Sequence, residues 1–162
     1  MYCSNCRKKL NPENKFCPAC GKRVQYVSPE DKVYTKVFKA ENEKTEISIK
    51  EVREWLDSHS IELVNAFVNI YLNTTFGIVS VSLRKITFKY KKKKVDYRYG
   101  ITAFDERNGV FKSAKDKCDV REDKYLKEHN AEKYKSFDRE AFVPGGAKYR
   151  GRVVIYKKWN KE

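Results

Sequence analysis

Alternation of apolar and polar residues predicts most of the strands in this chain. Residues 33–38, 78–90, 97–104 and 152–159 alternate in this way and are rich in β-branched and aromatic side chains. The second and third of these segments are separated by a run of four lysines that begins at Lys91. We therefore predict that residues 78–104 form a β-hairpin with a basic tip.

Other segments show helical spacing. Residues 48–51, Ser-Ile-Lys-Glu, form a capping-box pattern that predicts the start of a helix. Residues 116–137 are highly charged with apolar residues at roughly helical intervals, which indicates a helix or a helix followed by a loop. Residues 61–72 fit two interpretations, because their polar residues are spaced almost as in a helix while their apolar residues alternate as in a strand. The pattern slightly favours a helix and leaves the strand open.

These elements predict one antiparallel-sheet domain of the α+β class with two or three helices, because strands and helices alternate without regular βαβ repetition. The composition changes around Pro29, the only rigid element of its segment. We therefore predict a small N-terminal module at residues 1–25, a linker at residues 26–32 and the α+β domain at residues 33–162.

Four of the five cysteines lie in the N-terminal module, as two Cys-x2-Cys pairs: Cys3, Cys6, Cys17 and Cys20. A two-residue spacing lets a tight turn direct both sulfurs to one point, and two such turns supply four thiolates in the tetrahedral geometry of Zn²⁺. Disulfides need an oxidising compartment, and a redox-active pair normally opens a helix in a thioredoxin-like domain, so both alternatives are weaker. We predict one structural zinc ion in a closed site with four sulfur ligands. Cys118 stands alone and is interpreted as structural or incidental.

The segments Tyr2-Cys3-Ser4-Asn5-Cys6 and Phe16-Cys17-Pro18-Ala19-Cys20-Gly21-Lys22 resemble the short zinc ribbons found at the N-termini of many bacterial and archaeal proteins. The resemblance covers residues 1 to about 25 and implies a small metal-stapled module that binds nucleic acid or protein. Family members commonly carry Gly after each Cys pair; Gly21 fits this pattern and Arg7 departs from it. The departure predicts a slightly different first turn with unchanged four-sulfur ligation. The whole chain is then an α+β protein with an N-terminal zinc ribbon.

Composition excludes several classes. The chain has 162 residues with 40% hydrophobic residues, which is sufficient for a core and excludes wholesale disorder. The most apolar stretch is about twelve residues long, shorter than the roughly twenty that a spanning helix needs. No secretory signal is visible behind the first residues. We expect a soluble, cytoplasmic protein without a membrane partner.

Charge is the second informative feature, because 36 basic residues against 22 acidic ones give a net charge of +14. The excess lies in three segments, residues 1–25, 84–100 and 147–162, while the remainder is close to balanced or acidic. Charge gathered into patches attracts polyanions from a distance. The candidate phosphate contacts are Lys8, Lys9, Lys89, Lys91, Lys92, Lys93, Lys94, Arg98, Arg150, Arg152, Lys157 and Lys158.

Aromatic residues near these bases have two interpretations. Phe88, Tyr90, Tyr97 and Tyr99 could stack on unpaired bases, or they could form the core face of their strands. Burial is the more common role of alternating rings, and we favour it for these four residues.

Our leading hypothesis is a non-enzymatic protein that binds nucleic acid through phosphates, with RNA or single strands slightly preferred because no groove-reading helix-turn-helix is evident. The alternative is a protein–protein adaptor or inhibitor whose basic surface docks on an acidic partner. A third hypothesis is a metal-dependent nuclease or other hydrolase using Asp119, Asp123 and His129. We interpret His59 as a capping or turn residue.

Overall fold

The computed structural model describes two compact units, Met1–Lys32 and Val33–Glu162. The described residues are 2–11, 14–24, 31–42, 45–75, 78–107, 113–142 and 147–159. Most of the predicted linker, residues 26–30, lies outside them.

Within its described residues the second unit contains two helices and six strands, which confirms the α+β class. In chain order they are β1 (Val33–Lys39), α1 (Ile49–Ser58), β2 (Ile61–Thr75), β3 (Ile78–Lys92), β4 (Tyr97–Arg107), α2 (Ala114–Glu128), β5 (Ala131–Phe142) and β6 (Lys148–Trp159).

The six strands form two three-stranded antiparallel sheets. The first has the order β1-β3-β2 and the second has the order β4-β6-β5. Fully buried side chains from both sheets join one core, among them Ile86 and Phe88 of β3, Ile101 of β4, and Val153 and Ile155 of β6. The two sheets therefore pack face to face, as in a β-sandwich.

Gly151 of β6 marks a close approach of the two sheets. A Cβ atom at this position would lie 2.5 Å from Leu72 Cδ2 and 2.7 Å from Val81 Cγ2, both in the first sheet. Only glycine leaves room for the two sheets to approach this closely here.

The helices cover different surfaces. Val52 and Leu56 of α1 are fully buried in the core between the sheets, and Trp55 packs on Phe38 of β1 and Phe88 of β3. Helix α2 lies on the other face of the second sheet, where the ring of Tyr125 contacts those of Phe104 and Tyr156. The second sheet is thus covered on both faces.

The opposite face of the first sheet carries exposed side chains. We call it the open face and define it by Val37 of β1, Phe67 of β2, and Lys85, Thr87 and Lys89 of β3. Val37, Thr87 and Phe67 form one cross-strand row, and Lys85 and Lys89 lie two residues away from Thr87 in either direction.

The slight preference for a helix at residues 61–72 is wrong, because this segment lies within the long strand β2. One β-bulge in β2 explains the misleading pattern, because Val64 is an extra residue between Leu63 and Asn65. A second shift, where Arg84 is extra opposite the step from Asn69 to Ile70, lies on β3 and leaves the alternation of β2 unchanged. A β-bulge changes the phase of alternation by one residue. The polar positions therefore fall at intervals that resemble those of a helix.

The predicted hairpin across residues 78–104 is also wrong. Both segments are strands, but β3 pairs with β1 and β2 whereas β4 pairs with β6. The lysine run accordingly ends β3 and opens the connection from the first sheet to the second. The predicted helix at residues 116–137 is correct as far as Glu128, after which the chain continues as strand β5.

Candidate metal centre and basic surfaces

The first unit contains two turns with the same backbone pattern, one around each cysteine pair. The N–H of Arg7 donates to the Cys3 carbonyl at 2.9 Å, and the N–H of Gly21 donates to the Cys17 carbonyl at 2.8 Å. Each turn is closed by a hydrogen bond in the other direction, from Cys3 to Lys8 and from Cys17 to Lys22. The local sequence therefore builds two equivalent knuckles, each presenting two sulfurs.

The expected difference at the first knuckle is not found. Arg7 has a φ of 57° and Gly21 has a φ of 68°, so both residues adopt the left-handed conformation. An arginine meets a steric penalty there that glycine avoids. The departure of Arg7 from the family pattern thus changes the energy of the turn and preserves its shape.

The four sulfurs lie close enough to share one metal ion. All four Sγ atoms are within 4.8 Å of one another, with 3.6 Å between Cys3 and Cys20 and 3.5 Å between Cys6 and Cys17. A tetrahedral zinc ion with Zn–S bonds of about 2.3 Å places its ligands about 3.8 Å apart. None of the four forms a disulfide, so the donor set fits Zn²⁺.

Backbone hydrogen bonds favour the thiolate form at two of the four cysteines, Cys3 and Cys20. Donation from the backbone of Cys6 and of Asn5 lowers the pKa of the Cys3 thiol to about 6, and the Asn5 N–H lies 3.4 Å from Cys3 Sγ. Donation from the Lys22 backbone likewise lowers the pKa of Cys20. Both effects favour the thiolate, which is the form that binds zinc.

Comparison with known families agrees with this geometry, since residues 2–24 match the zinc-ribbon domain. Residues 2–24 form a zinc ribbon. Its ligands are Cys3, Cys6, Cys17 and Cys20, and it binds one Zn²⁺. Four protein sulfurs fill the tetrahedral shell, so this zinc has a structural role. No curated protein and no solved structure matches the chain.

The ribbon also presents exposed basic and aromatic side chains. Lys8 and Lys9, both predicted phosphate contacts, are exposed beside the first knuckle. Tyr2 pairs with Lys9 and Phe16 pairs with Arg23 in short antiparallel bridges, and both rings are largely exposed. Each knuckle therefore carries one aromatic ring and one base in equivalent positions.

In the second unit, the predicted lysines of β3 and the following connection are accessible. Lys89, Lys92, Lys93 and Lys94 are exposed and Lys91 is half-buried. Lys93 lies 3.6 Å from Glu62, and the ammonium of Lys92 lies 4.9 Å from the centroid of the Tyr34 ring. In the part of the chain that the structure describes, no carboxylate lies within 4 Å of Lys89, Lys92 or Lys94.

The arginines of β6, which were predicted as phosphate contacts, are surrounded by carboxylates. Arg152 has a side chain only 7% exposed and pairs with Asp119, Asp138 and Glu122, the last of which is 2% exposed. Arg150 pairs with Asp138 and Glu140. These arginines neutralise internal charge and hold α2 and β5 against β6.

The remaining predicted bases make contacts within the protein, although no cluster of carboxylates surrounds them. Lys158 forms an ion pair with Asp57 at 2.9 Å, and the ammonium of Lys157 lies 4.9 Å from the Tyr97 ring centroid. Arg98 is half-buried and donates to the carbonyl of Tyr97. These residues belong to the second sheet, whereas the lysine run continues from the first.

The preferred interpretation of the aromatic residues is confirmed for three of the four: Phe88, Tyr90 and Tyr99 are buried, and Tyr97 is half-buried. Phe67 and Lys85, which share the open face with Lys89, were not predicted from the sequence as contacts. Alternation is the signal that could have identified them, but the two bulges obscure it.

The three residues of the hydrolase hypothesis do not form a metal-binding group in the described part of the chain. Asp119 pairs with Arg152, Asp123 is exposed, and the His129 ring stacks on Tyr125 and shares a hydrogen bond with its carbonyl. Among the described residues, only the four ribbon cysteines lie close enough together to hold a metal. His59 caps the end of α1, as interpreted from the sequence.

Cys118 is a fully buried residue of α2, and burial raises the pKa of its thiol to about 11, which suits a structural residue. No helix in the described part of the chain has the length and apolar character that crossing a bilayer requires.

Proposed function

We propose that the protein binds nucleic acid through its phosphates, with residues 89–94 as the principal contact of the second unit. The observation that carries this proposal is a group of exposed lysines in this segment that have no carboxylate partner or only a weak one. Lys89, Lys92 and Lys94 have no carboxylate partner among the described residues, and the Lys93–Glu62 pair is solvent-exposed and hence weak.

The contrast with β6 supports this choice of surface. Arg150 and Arg152 belong to an equally basic stretch of sequence, but their charge is already matched by carboxylates of α2 and β5. A matched charge gains little from a phosphate because it would have to give up its partner. Lys89, Lys92 and Lys94 have no carboxylate partner to give up among the described residues, so a phosphate would displace mainly water and counterions from them.

The zinc ribbon supplies a second basic surface. Its described bases include Arg7, Lys8 and Lys9 around the first knuckle, all exposed. The ion and four thiolates together contribute about −2, so a ribbon with six bases and one acid within residues 1–25 stays positive. Both units therefore offer surfaces that attract a polyanion.

Replacing Lys91, Lys92, Lys93 and Lys94 together with Ala tests the proposal. We expect weaker binding to labelled oligonucleotides in fluorescence anisotropy. The slope of log K against log salt should become shallower by roughly 0.7 to 0.9 for each phosphate that the variant no longer neutralises. The unfolding midpoint of the second unit should change little, because these side chains contribute little to its core.

The matched control removes four lysines from α2 instead: Lys115, Lys117, Lys124 and Lys127. This variant has the same net charge as the first, but its lysines lie among acidic residues, and Lys124 already pairs with Glu128. Equal weakening by both variants would mean that net charge alone governs binding. Unchanged affinity in the first variant would place the site elsewhere.

Purification with and without nuclease separates nucleic acid from an acidic protein partner. The proposal predicts a high absorbance ratio at 260 to 280 nm that falls after nuclease treatment. A stoichiometric protein that stays bound after nuclease would favour the adaptor hypothesis instead.

A further inference from the structure

The open face presents an aromatic ring on an uncovered sheet surface. Phe67 is 50% exposed and lies in one cross-strand row with Val37 and Thr87. A surface groove of about 390 Å³ runs beside it, lined by Phe67, Val68, Asn69, Lys85, Thr87 and Lys89. A ring in this position is available for stacking with a planar ligand.

The bases around the ring are placed on both sides of it. Lys85 and Lys89 are diagonal neighbours of Phe67 across the β2–β3 pair, at about 7–8 Å by sheet geometry. The two lysines are four residues apart on β3, or about 13 Å along the strand. A third ammonium, that of Lys135, lies 5.4 Å from the Phe67 ring centroid and donates to Asn65 and Ala66, which fixes its position.

The strands of this sheet are almost free of negative charge. β1 contains two basic residues, β3 contains five and β2 contains none, while the only acidic residue in all three is Glu62, which pairs with Lys93. A ligand on the open face therefore meets positive charge around an apolar, aromatic centre. The complementary ligand has negative charges along a chain and planar apolar groups between them.

We propose that the open face binds single-stranded nucleic acid, with an unpaired base stacked on Phe67 and the adjoining phosphates held by Lys85 and Lys89. This inference rests on the proposed phosphate binding and deepens it by naming the class of nucleic acid. In a duplex the faces of the bases are covered by their neighbours, so a stacking ring distinguishes single strands from duplexes. An acidic peptide would satisfy the lysines but leave the ring without a planar partner.

The test uses the full, zinc-loaded chain and anisotropy titrations with three probes: labelled oligo-dT or oligo-U, a duplex of equal length, and inorganic polyphosphate as competitor. Phe67→Ala should weaken binding of the single strands by about 5- to 100-fold, the usual range for loss of one stacking ring. The same substitution should leave the duplex and polyphosphate affinities within about twofold.

Two replacements of the same residue separate stacking from simple apolar contact. Phe67→Trp keeps an aromatic ring and should retain single-strand affinity, whereas Phe67→Leu keeps apolar area and should lose it as Ala does. Retained affinity in Phe67→Leu would overturn the stacking role.

Phe142 supplies a matched control. It is also an exposed phenylalanine, with the Lys148 ammonium 5.7 Å from its ring centroid, but that lysine is paired with Glu140. Phe142→Ala should leave all three affinities unchanged. Equal unfolding midpoints in every variant would show that the comparison is made between folded proteins.

The outcomes separate this inference from the proposed function. Suppose that all three probes bind in a salt-dependent way and that Phe67→Ala changes none of the affinities, or changes all of them equally. This result would overturn the stacking role of Phe67 and leave phosphate binding standing. Absence of binding to every probe by the unmodified chain would overturn both.

Discussion

At the scale of single residues, Arg7 and Gly21 show that two very different residues can adopt the same backbone conformation. Both have positive φ after the second cysteine of a knuckle. Left-handed backbone costs an ordinary residue about 1–2 kcal/mol, a penalty that glycine escapes. The cost at Arg7 must be offset by the rest of the ribbon, where binding of zinc supplies most of the folding energy.

Arg7→Gly should therefore tighten zinc binding by about 2- to 5-fold, because the relief of strain is partly offset by the larger backbone entropy of glycine in the unfolded chain. Competition with a chelator of known affinity measures this change. Arg7→Ala removes the same charge but keeps the Cβ atom, so it should not gain affinity. Equal tightening in both variants would show that charge, and not backbone conformation, is responsible.

Arg152 shows, for a single residue, that the tertiary structure decides whether a charge is available to a partner. In the sequence it belongs to a basic C-terminal stretch and resembles the lysines of residues 89–94. In the structure three carboxylates enclose it, from positions 14, 30 and 33 residues away. Charge counted along a chain thus does not show which charges remain available to a partner.

At the scale of elements, the two helices begin differently. Ser113 and Asp116 form a complete capping box at the start of α2, in which the Ser113 hydroxyl accepts from the Asp116 N–H at 3.1 Å and the Asp116 carboxylate accepts from the Ser113 N–H. Ser48 is the N-cap of α1, as the sequence predicts, but its side chain makes no capping hydrogen bond. The capping box predicted from the sequence, at Ser48, is thus not formed by the side chain, whereas the one at Ser113 is.

Ser113→Ala should consequently lower the free energy of unfolding by about 1 kcal/mol, the usual cost of losing a capping hydroxyl. Ser48→Ala is the matched control and should cost clearly less, since its side chain makes no capping hydrogen bond. Urea denaturation followed by circular dichroism measures both. A larger destabilisation at Ser48 would contradict this account of the caps.

Strand β2 shows how the sequence pattern of a strand can fail to indicate its secondary structure. The pairing of β2 with β3 contains two bulges, and the extra residue, Val64 on β2 and Arg84 on β3, breaks the alternation of its own strand. Bulges depend on how two strands match one another, so neither strand shows them in isolation. The same bulges determine that Phe67 shares a face with Lys85 and Lys89.

At the scale of the whole molecule, the two units are each stabilised by a different kind of interaction. The buried apolar cluster of the ribbon contains Cys3, Leu10 and Cys17, with Val24 packed against it. The second unit instead has a large core between its two sheets. A cluster as small as that of the ribbon cannot offset the entropy of ordering its chain without the metal.

Removing zinc with a chelator should unfold the ribbon and leave the second unit folded. In ¹H–¹⁵N correlation spectra, we expect the signals of residues 2–24 to collapse to unfolded positions while those of residues 33–159 stay dispersed. Cys118→Ser is the control, because this buried thiol lies in the second unit and its replacement should leave zinc stoichiometry at one. Disappearance of dispersion throughout the spectrum on chelation would contradict the independence of the two units.

The sequence alone determined the zinc centre, the α+β class and the location of most strands. These depend on local information, because all four ligands lie within twenty residues and each strand carries its own alternation. Only the tertiary structure decided which strands pair, how the lysine run connects the two sheets, and which basic residues are neutralised by carboxylates. The physical reason is that strand partners and neutralising carboxylates come from distant parts of the chain, and only folding brings them together.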